Sequence, residues 1–479
     1  MAQAKAILIN SVKIEGAPEY IYILQLEINH EVNKYATAKL VLAVKEDKGT
    51  DYLKQANENK IKITAKTSDA QNPKDVKLFH GCITNLILEK TPEYNLMTFE
   101  LCDTTCLLNL KRGTCSFQKL DAKHEDILKK VYGETGTIKL ENVTDKAIEK
   151  IVLRLNETEW EFTQRMAGVL GAPIFTNIFT EKPVVTLGVP APQNTAEVDL
   201  KQLSHSFADS KFQFIKSNPK AKAESLNLIN EDFASLKIGG CLDYLYIGDK
   251  VKLDKKEYFV KGISAHFEEG IFISSYELVG KTTAFFSPII KQKNIAGRVF
   301  VAMVKKVEKD TVQVHLLNVD KEYDSSGTAK FPFATAYSSA DGSGWYVMPE
   351  ENDYVRILFP SEDTKDAFAV SSINTAPLKE PKNKSLKAPG GREILLTDKG
   401  VEIIAEHQKT FIQLDKDKGI NIVSAKDIVV SADGNINFDA KGKIQMISQK
   451  EIIAQSGQSH IKILSNQIAV GGSNVIIGE

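Results

Sequence analysis

Three cysteines lie close together, Cys102, Cys106 and Cys115, and thiolates are the usual ligands of a structural zinc ion. Their spacing, CxxxC and then eight residues to the third, lacks the second close pair such sites use, and no histidine stands near enough to complete a set. Buried free thiols acting as small apolar residues are the expected reading, with no metal and no cofactor assigned. Five cysteines in 479 residues also argue against a disulfide framework. Glu157, Glu159 and Glu161 could supply the carboxylates of general acid–base chemistry. They stand, however, in NETEWEFTQRMAGVLGAP, where Thr158 and Glu161 form an S/T-x-x-E capping box and acidic residues serve a helix's positive end. DGSGW, Asp341 to Trp345, resembles a serine elbow but lacks its second spacing residue, so a hairpin turn is expected there. The sequence holds no G-x-S-x-G, H-E-x-x-H, G-x-x-x-x-G-K-[ST] or G-x-G-x-x-G, and no enzyme is expected.

The elements that carry these residues are mostly strands. At 42% apolar and 26% charged residues, the composition excludes disorder, collagen and coiled-coil arrays, and the length suggests about three domains. Lys plus Arg is 61 and Asp plus Glu is 62, leaving no global field to draw the chain onto nucleic acid or anionic lipid. No apolar run approaches the ~20 residues of a membrane span, and MAQAKAILIN lacks a signal peptide's basic start, so a cytoplasmic place of synthesis and folding is expected. Leu24, Leu26 and Ile28, then Ala38, Leu40, Leu42 and Val44, alternate with polar residues as half-buried strands do. Ile61 to Ile63, Phe79 to Leu88 and Met97 to Leu101 extend the pattern, as do Val251 to Leu253, Tyr258 to Val260, Ile271 to Ile273 and Tyr276 to Leu278. Helical spacing interrupts in two places only, after Asp121 with a stop at Gly133 and after Thr158 with a stop at Gly171 and Pro173. Lys216 to Ser225 reads as a solvated loop. The runs RVFVAMV, TVQVHLL, GWYVMPE, DYVRILF and AFAVSSI predict a small five-stranded barrel of the oligonucleotide/oligosaccharide-binding (OB) type. With 8 basic against 12 acidic residues from Ala296 to Thr375, that barrel suits a structural adaptor better than a nucleic-acid groove.

The last ninety residues carry a strict repeat. Ile412 and Leu414, Ile420 and Ile422, Ile428 and Val430, Ile436 and Phe438, Ile444 and Met446, and Ile452 and Ala454 recur every eight residues. Each i, i+2 pair faces one side of a strand, and small or polar residues follow as a corner. One such octad cannot cover its own apolar face, and repeat units of this kind are stable only when stacked. Three chains, each giving one side of a triangular prism per octad, would close the interior and pair every strand edge. The expected fold class is therefore mainly β: a first barrel over 1–95, a second with helical insertions over 96–290, an OB-fold barrel over 291–375, a linker over 376–389 and an intertwined trimeric β-helix needle over 390–479.

Together these modules resemble the VgrG-type spike proteins of contractile injection systems, the type VI secretion and phage tail hub-spike family. The resemblance covers nearly the whole chain and is most specific in the E-T-x-W-x-F-x-x-R segment from Glu157 to Arg165, the FHG turn at Phe79 to Gly81 and GG-R-E-I at Gly390 to Ile394. It implies a homotrimer whose barrels form a hub on a tube of hexameric Hcp-like rings, held by baseplate proteins, with the stem driven through a target membrane. It also implies a PAAR-type tip protein, since the H-x-H motifs of self-pointed spikes are missing; the docking face would be Ile476, Ile477, Gly478 and Glu479. The sequence between Asn374 and Glu479 leaves no room for a lysozyme-like or toxin domain, so effector cargo would ride on partners. Nucleic acid is not an expected partner. Assembly in the cytoplasm, followed by delivery outside or into a target cell, is implied. The competing reading is a trimeric β-helical tailspike that cleaves or binds glycans, which would need paired carboxylates about 5–10 Å apart in a groove.

Overall fold

The computed structural model describes residues 6–55, 60–69, 71–209, 211, 212, 214, 230–253, 255–280, 285–292, 295–376 and 380–476. The expected loop from Lys216 to Ser225 lies outside them. The chain is mainly β and falls into two compact units, Met1–Thr375 and Ala376–Glu479.

In the first unit one sheet of thirteen strands joins residues from both ends of the first 280. Its main path runs Ser204–Asp209, Ala234–Cys241, Ile271–Val279, Lys256–Glu268, Tyr20–Glu31, Thr37–Val44, Asn95–Asp103, Asp75–Lys90, Lys60–Lys66 and Lys13–Glu15. The two expected barrel regions meet where Lys256–Glu268 pairs antiparallel with Tyr20–Glu31, in the register Gly262 to Glu31 through His266 to Glu27. The boundary at residue 95 falls inside a strand, because Asn95–Asp103 pairs on one side with Asp75–Lys90 and on the other with Thr37–Val44. Alternation explains the core: Leu26, Ile28, Leu40, Leu42, Ile61, Ile63, Met97 and Phe99 all point inward and are fully buried. Ile271 to Ile273 and Tyr276 to Leu278 are parts of one strand, Ile271–Val279.

Three α-helices have bounds wholly within the described residues, one more than the sequence predicts. Helix α1, Glu46–Gln55, carries only Tyr52 and Leu53 as large apolar residues and contains Gly49, so it offers little apolar surface to mark it as a helix. Tyr52 anchors it, donating from its hydroxyl to the Gly16 carbonyl at 2.7 Å and meeting the Phe99 ring at 5.9 Å. Helix α2, His124–Tyr132, ends at Gly133, and helix α3, Glu159–Leu170, starts at the Thr158 cap and ends at Gly171 in the left-handed conformation. Both pack in a second core with Phe117, Ile138, Ile174, Val185 and Leu187.

Residues 298–373 form the predicted five-stranded sheet, with one correction. GWYVMPE is not a strand; the fifth place is taken by the short pair Phe331–Pro332. Residues 345–350 join no sheet, Pro349 has no amide to donate to a ladder, and the chain turns just after them, at Asn352 with φ 73°. This sheet shares a third core with Ile151 and Leu153, so the strand Val152–Thr158 bridges two cores.

The predicted FHG turn is also corrected. Phe79, His80 and Gly81 lie inside the strand Asp75–Lys90, and Gly81 serves close approach: a Cβ there would sit 2.1 Å from the Cys102 carbonyl oxygen.

The second unit begins with an antiparallel meander of Lys384–Lys387, Glu393–Leu396, Gly400–Glu406, Thr410–Asp415 and Gly419–Val423. The expected linker thus ends in a strand. A second meander, Glu451–Ser456, Ser459–Leu464 and Ile468–Gly471, follows after residues 424–450.

Candidate functional site

The three carboxylates considered for acid–base chemistry sit where the cores meet, and each faces an arginine. Arg165 grips Glu157 with two bonds, Nε to Oε1 at 2.8 Å and a terminal nitrogen to Oε2 at 2.7 Å, and also donates to the Leu153 carbonyl. Arg154 lies 3.2 Å from Glu159, and both side chains are buried. Arg112 makes two 2.9 Å bonds to Glu161, the residue that closes the capping box by accepting from the Thr158 amide at 3.0 Å. Two-fold arginine contacts fix geometry as well as charge. Beside them Trp160 is buried against Tyr35, ring centres 5.8 Å apart, and the Arg165 guanidinium lies 5.0 Å from the Phe162 ring. Carboxylates paired this way position a helix between sheets, although Glu159 Oε2 and the Arg154 nitrogen nearest that carboxylate are buried without a hydrogen-bond partner among the described residues. The segment that sequence singled out is a structural keystone; Arg112, from a strand distant in sequence, gives no local signal that could have paired it with Glu161 in advance, whereas Arg154 stands on the strand that leads directly into the helix.

The expected cysteine trio is not the one the fold assembles. Cys115 lies on the strand Arg112–Phe117, which pairs antiparallel with Val152–Thr158 and sets it opposite Arg154. Cys102 and Cys106 instead meet Cys82, the residue directly across the ladder from Cys102. Among the described residues no group of three His, Cys, Asp or Glu side chains is arranged to hold a metal ion. DGSGW forms the expected turn: Ser343 donates to the Asp341 carboxylate through its hydroxyl at 2.7 Å and its amide at 2.9 Å, and the Trp345 amide bonds the Tyr337 carbonyl.

The octad residues all lie outside any core of this single chain. Ile412, Leu414, Ile420, Ile422, Ile428, Val430, Ile436, Phe438, Ile444 and Met446 are exposed, from 39% at Ile412 to 70% at Ile420; Ile452 is half-buried and Ala454 exposed. The first two octads and the last pair within the chain, which the prism reading did not foresee. Ile412 faces Ile422 and Leu414 faces Ile420 in a hairpin, and Ile452 faces Ile463 in another. The cause is in the turns. Gly419 at φ 85° and Gly457 at φ 59° take left-handed conformations that let the chain reverse. Asp415 supports the first by accepting from the Asp417 and Lys418 amides at 2.9 and 3.0 Å.

The octads between them behave differently. Residues 427–432, 435–440 and 443–448 belong to no strand or helix and are separated by bends at 425–426, 433–434, 441–442 and 449–450. Those bends repeat every eight residues, and neither Gly434 nor Gly442 has positive φ, so the chain turns corners without reversing. Among the described residues, 427–448 donate and accept no backbone–backbone hydrogen bond. At the far end Ile476 is 92% exposed, while the expected docking residues Ile477, Gly478 and Glu479 lie outside the described residues.

No protein-family model and no curated protein matches the chain. Solved structures do. The E. coli c3393 protein, a component of the type VI secretion system with structural similarity to the T4 bacteriophage tail proteins gp27 and gp5, aligns at a TM-score of 0.51 and 13% identity, over 76% of this chain and 99% of that one. A chain of the Francisella PdpA–VgrG complex in its half-lidded form aligns at 0.54 and 10% identity over 87% of both chains, and one of the lidded form at 0.51 and 10% over 84% and 76%. At these identities the likeness is one of fold, and it is specific: the chain has the fold of the VgrG and gp27/gp5-like spike proteins.

Proposed function

We propose that this protein is the non-enzymatic spike of a contractile injection apparatus. Its barrels form the hub that caps an inner tube of Hcp-like hexamers within a baseplate. Its C-terminal unit forms one strand set of a trimeric, intertwined β-helix that punctures a target envelope. A tip protein of PAAR type on the end of the stem completes it, and the protein moves from the cytoplasm, where it assembles, to the outside or into the target cell. That the Francisella neighbour is a complex of VgrG with a second protein, PdpA, supports a cargo-carrying role.

The observation that carries the reading is the stem between the two meanders. A chain that turns every eight residues, offers two apolar side chains per turn on one face and leaves its backbone groups unpaired is one part of a larger ladder. Copies of the same chain supply matching edges and matching apolar faces at the same period, and three is the smallest number that encloses a filled axis. The stem core is then Ile412, Leu414, Ile420, Ile422, Ile428, Val430, Ile436, Phe438, Ile444, Met446, Ile452 and Ala454.

The mass in solution tests this. Light scattering on the full chain is expected to give three times 53.0 kDa, independent of protein concentration. A stable monomer overturns the proposal.

A further inference from the structure

We propose that Cys82, Cys102 and Cys106 form an oxidisable thiol cluster, in which a small disulfide oxidant drives formation of a Cys82–Cys106 cross-link. Three features of the fold bring these residues together. Cys82 and Cys102 are direct partners across the antiparallel ladder of Asp75–Lys90 with Asn95–Asp103. The missing Cβ at Gly81 lets these strands come very close beside them. After Cys102 the chain folds back at once, because Asp103 caps the short helix Thr104–Asn109, accepting from the Thr105 amide at 2.7 Å. That single turn returns Cys106 over the Cys82–Cys102 pair.

The Cys106 thiol lies within electrostatic reach of both the Cys82 and the Cys102 sulfurs. Cys106 is the central atom of the trio. Cys102 is 4% exposed, whereas Cys82 and Cys106 are both half-buried, so the pair that an oxidant reaches is Cys82 and Cys106. Neither Cys241, buried in the hub core, nor Cys115, opposite Arg154 on another sheet, belongs to this group.

The chemistry balances with oxidised glutathione as the oxidant. The Cys106 thiolate attacks one sulfur of the small disulfide and expels one reduced glutathione, leaving a mixed disulfide. Cys82, after losing its proton to solvent, attacks the Cys106 sulfur and expels the second glutathione. Two protein thiols are oxidised, one small disulfide is reduced to two thiols, and the protein loses two hydrogens.

The cluster is slow by design of its surroundings. The neighbouring Cys102 thiol and burial push the Cys106 thiol up to about 12, and the neighbouring Cys106 thiol with burial raises that of Cys82 further. Thiolate is therefore scarce at neutral pH, and the reaction speeds up about tenfold per pH unit between 7 and 9. A reducing interior keeps the trio open; prolonged contact with an oxidising medium closes it and ties the strand at Cys82 to the short helix at Cys106.

The test is incubation of the full-length protein with oxidised glutathione at pH 7, 8 and 9, alkylation of remaining thiols, and peptide mass spectrometry. A bridged peptide pair containing Cys82 and Cys106, two hydrogens lighter than the reduced pair, is expected, forming about tenfold faster at each step, with Cys115 carrying at most a glutathione adduct. In Cys82→Ser the bridge should vanish and glutathione should persist on Cys106. The proposal is overturned if Cys82 and Cys106 are both recovered alkylated, if glutathione stays on Cys106 of the natural protein without resolution, or if the bridge forms at a rate independent of pH.

Discussion

His30 makes a sharp prediction about acid stability. It sits on the strand Tyr20–Glu31, 4% exposed, with Nε2 2.8 Å from the Thr176 hydroxyl, and Nδ1 has no partner among the described residues. Burial lowers its pKa from 6.5 to about 3. For a base whose folded pKa is depressed, stability is complete above the unfolded value and is lost as pH falls, because the unfolded chain takes up a proton that the folded one refuses. The window is pH 6.5 down to about 3, and each unit costs about 1.4 kcal/mol. At pH 4.5 the loss is about 2–3 kcal/mol. Asp103, linked to His30 through the Thr176 hydroxyl at 3.3 Å, runs the other way: burial, against its hydrogen bonds, lifts its carboxyl above the ordinary range, so its protonation relieves a penalty as pH falls. A variant that removes only the imidazole cancels this term. His30→Gln keeps an amide nitrogen for Thr176 and cannot titrate. Amide hydrogen exchange along Tyr20–Glu31 and Lys256–Glu268, measured from pH 7.5 to 4.5 and corrected for intrinsic rates, reads the local stability without assuming that the whole chain unfolds as one unit. The variant is expected to be weaker by about 1 kcal/mol at pH 7.5, where the imidazole's packing is lost, and stronger than the natural protein by pH 4.5. Parallel curves would refute the reasoning.

Two further outcomes are expected. Arg165→Leu strands the Glu157 carboxylate, which is 17% exposed, and should cost about 3–5 kcal/mol in unfolding experiments, more than Lys150→Ala, whose partner Asp363 is half exposed at the surface. Truncation after Lys387 should leave a protein that loses its resistance to heat and detergent, read by electrophoresis of unheated samples; equal resistance would mean that the stem does not hold the assembly together.

How much was legible in sequence follows from the range of the interactions involved. The capping box of α3 is a three-residue device, and Thr158 and Glu161 announce it without any knowledge of the rest of the fold. Two-residue alternation likewise marks Leu26, Ile28, Leu40 and Leu42 as core, but it fails at Leu24, which is exposed where the register shifts between Ile23 and Gln25. The partner of Glu161 was out of reach, since Arg112 arrives on the strand Arg112–Phe117, whose register no local pattern specifies, whereas Arg154 and Arg165 lie close in sequence to Glu159 and Glu157. The same holds for Cys82, which only strand pairing brings to Cys102. FHG looked like a turn because glycine usually signals reversal, whereas Gly81 is needed for the space it leaves against the neighbouring strand. Helix α1 escaped notice because one tyrosine, reaching Gly16 and Phe99, does the packing that a periodic stripe does elsewhere.

The octad period, which sequence did reveal, fixes more about the stem than its strands do. Between the meanders, residues 427–448 follow a path that bends every eight residues, with no backbone–backbone bonds of their own and with Ile428, Val430, Ile436, Phe438, Ile444 and Met446 open to solvent. Holding that many residues in one conformation costs about 1–2 kcal/mol each. Nothing within the chain offsets such a cost, so a lone protomer has no reason to keep this path in water. The hairpins around it are another matter, because Gly419 and Gly457 set their register locally and their ladders close within the chain. In the proposed trimer, self-paired hairpins bracket a segment whose order depends on association, so that folding and assembly of the central octads would be one event, started from ends that are already in register. In such a rod a one-residue slip moves every inward side chain outward, which is why the period must hold without error across the very octads that cannot pair alone.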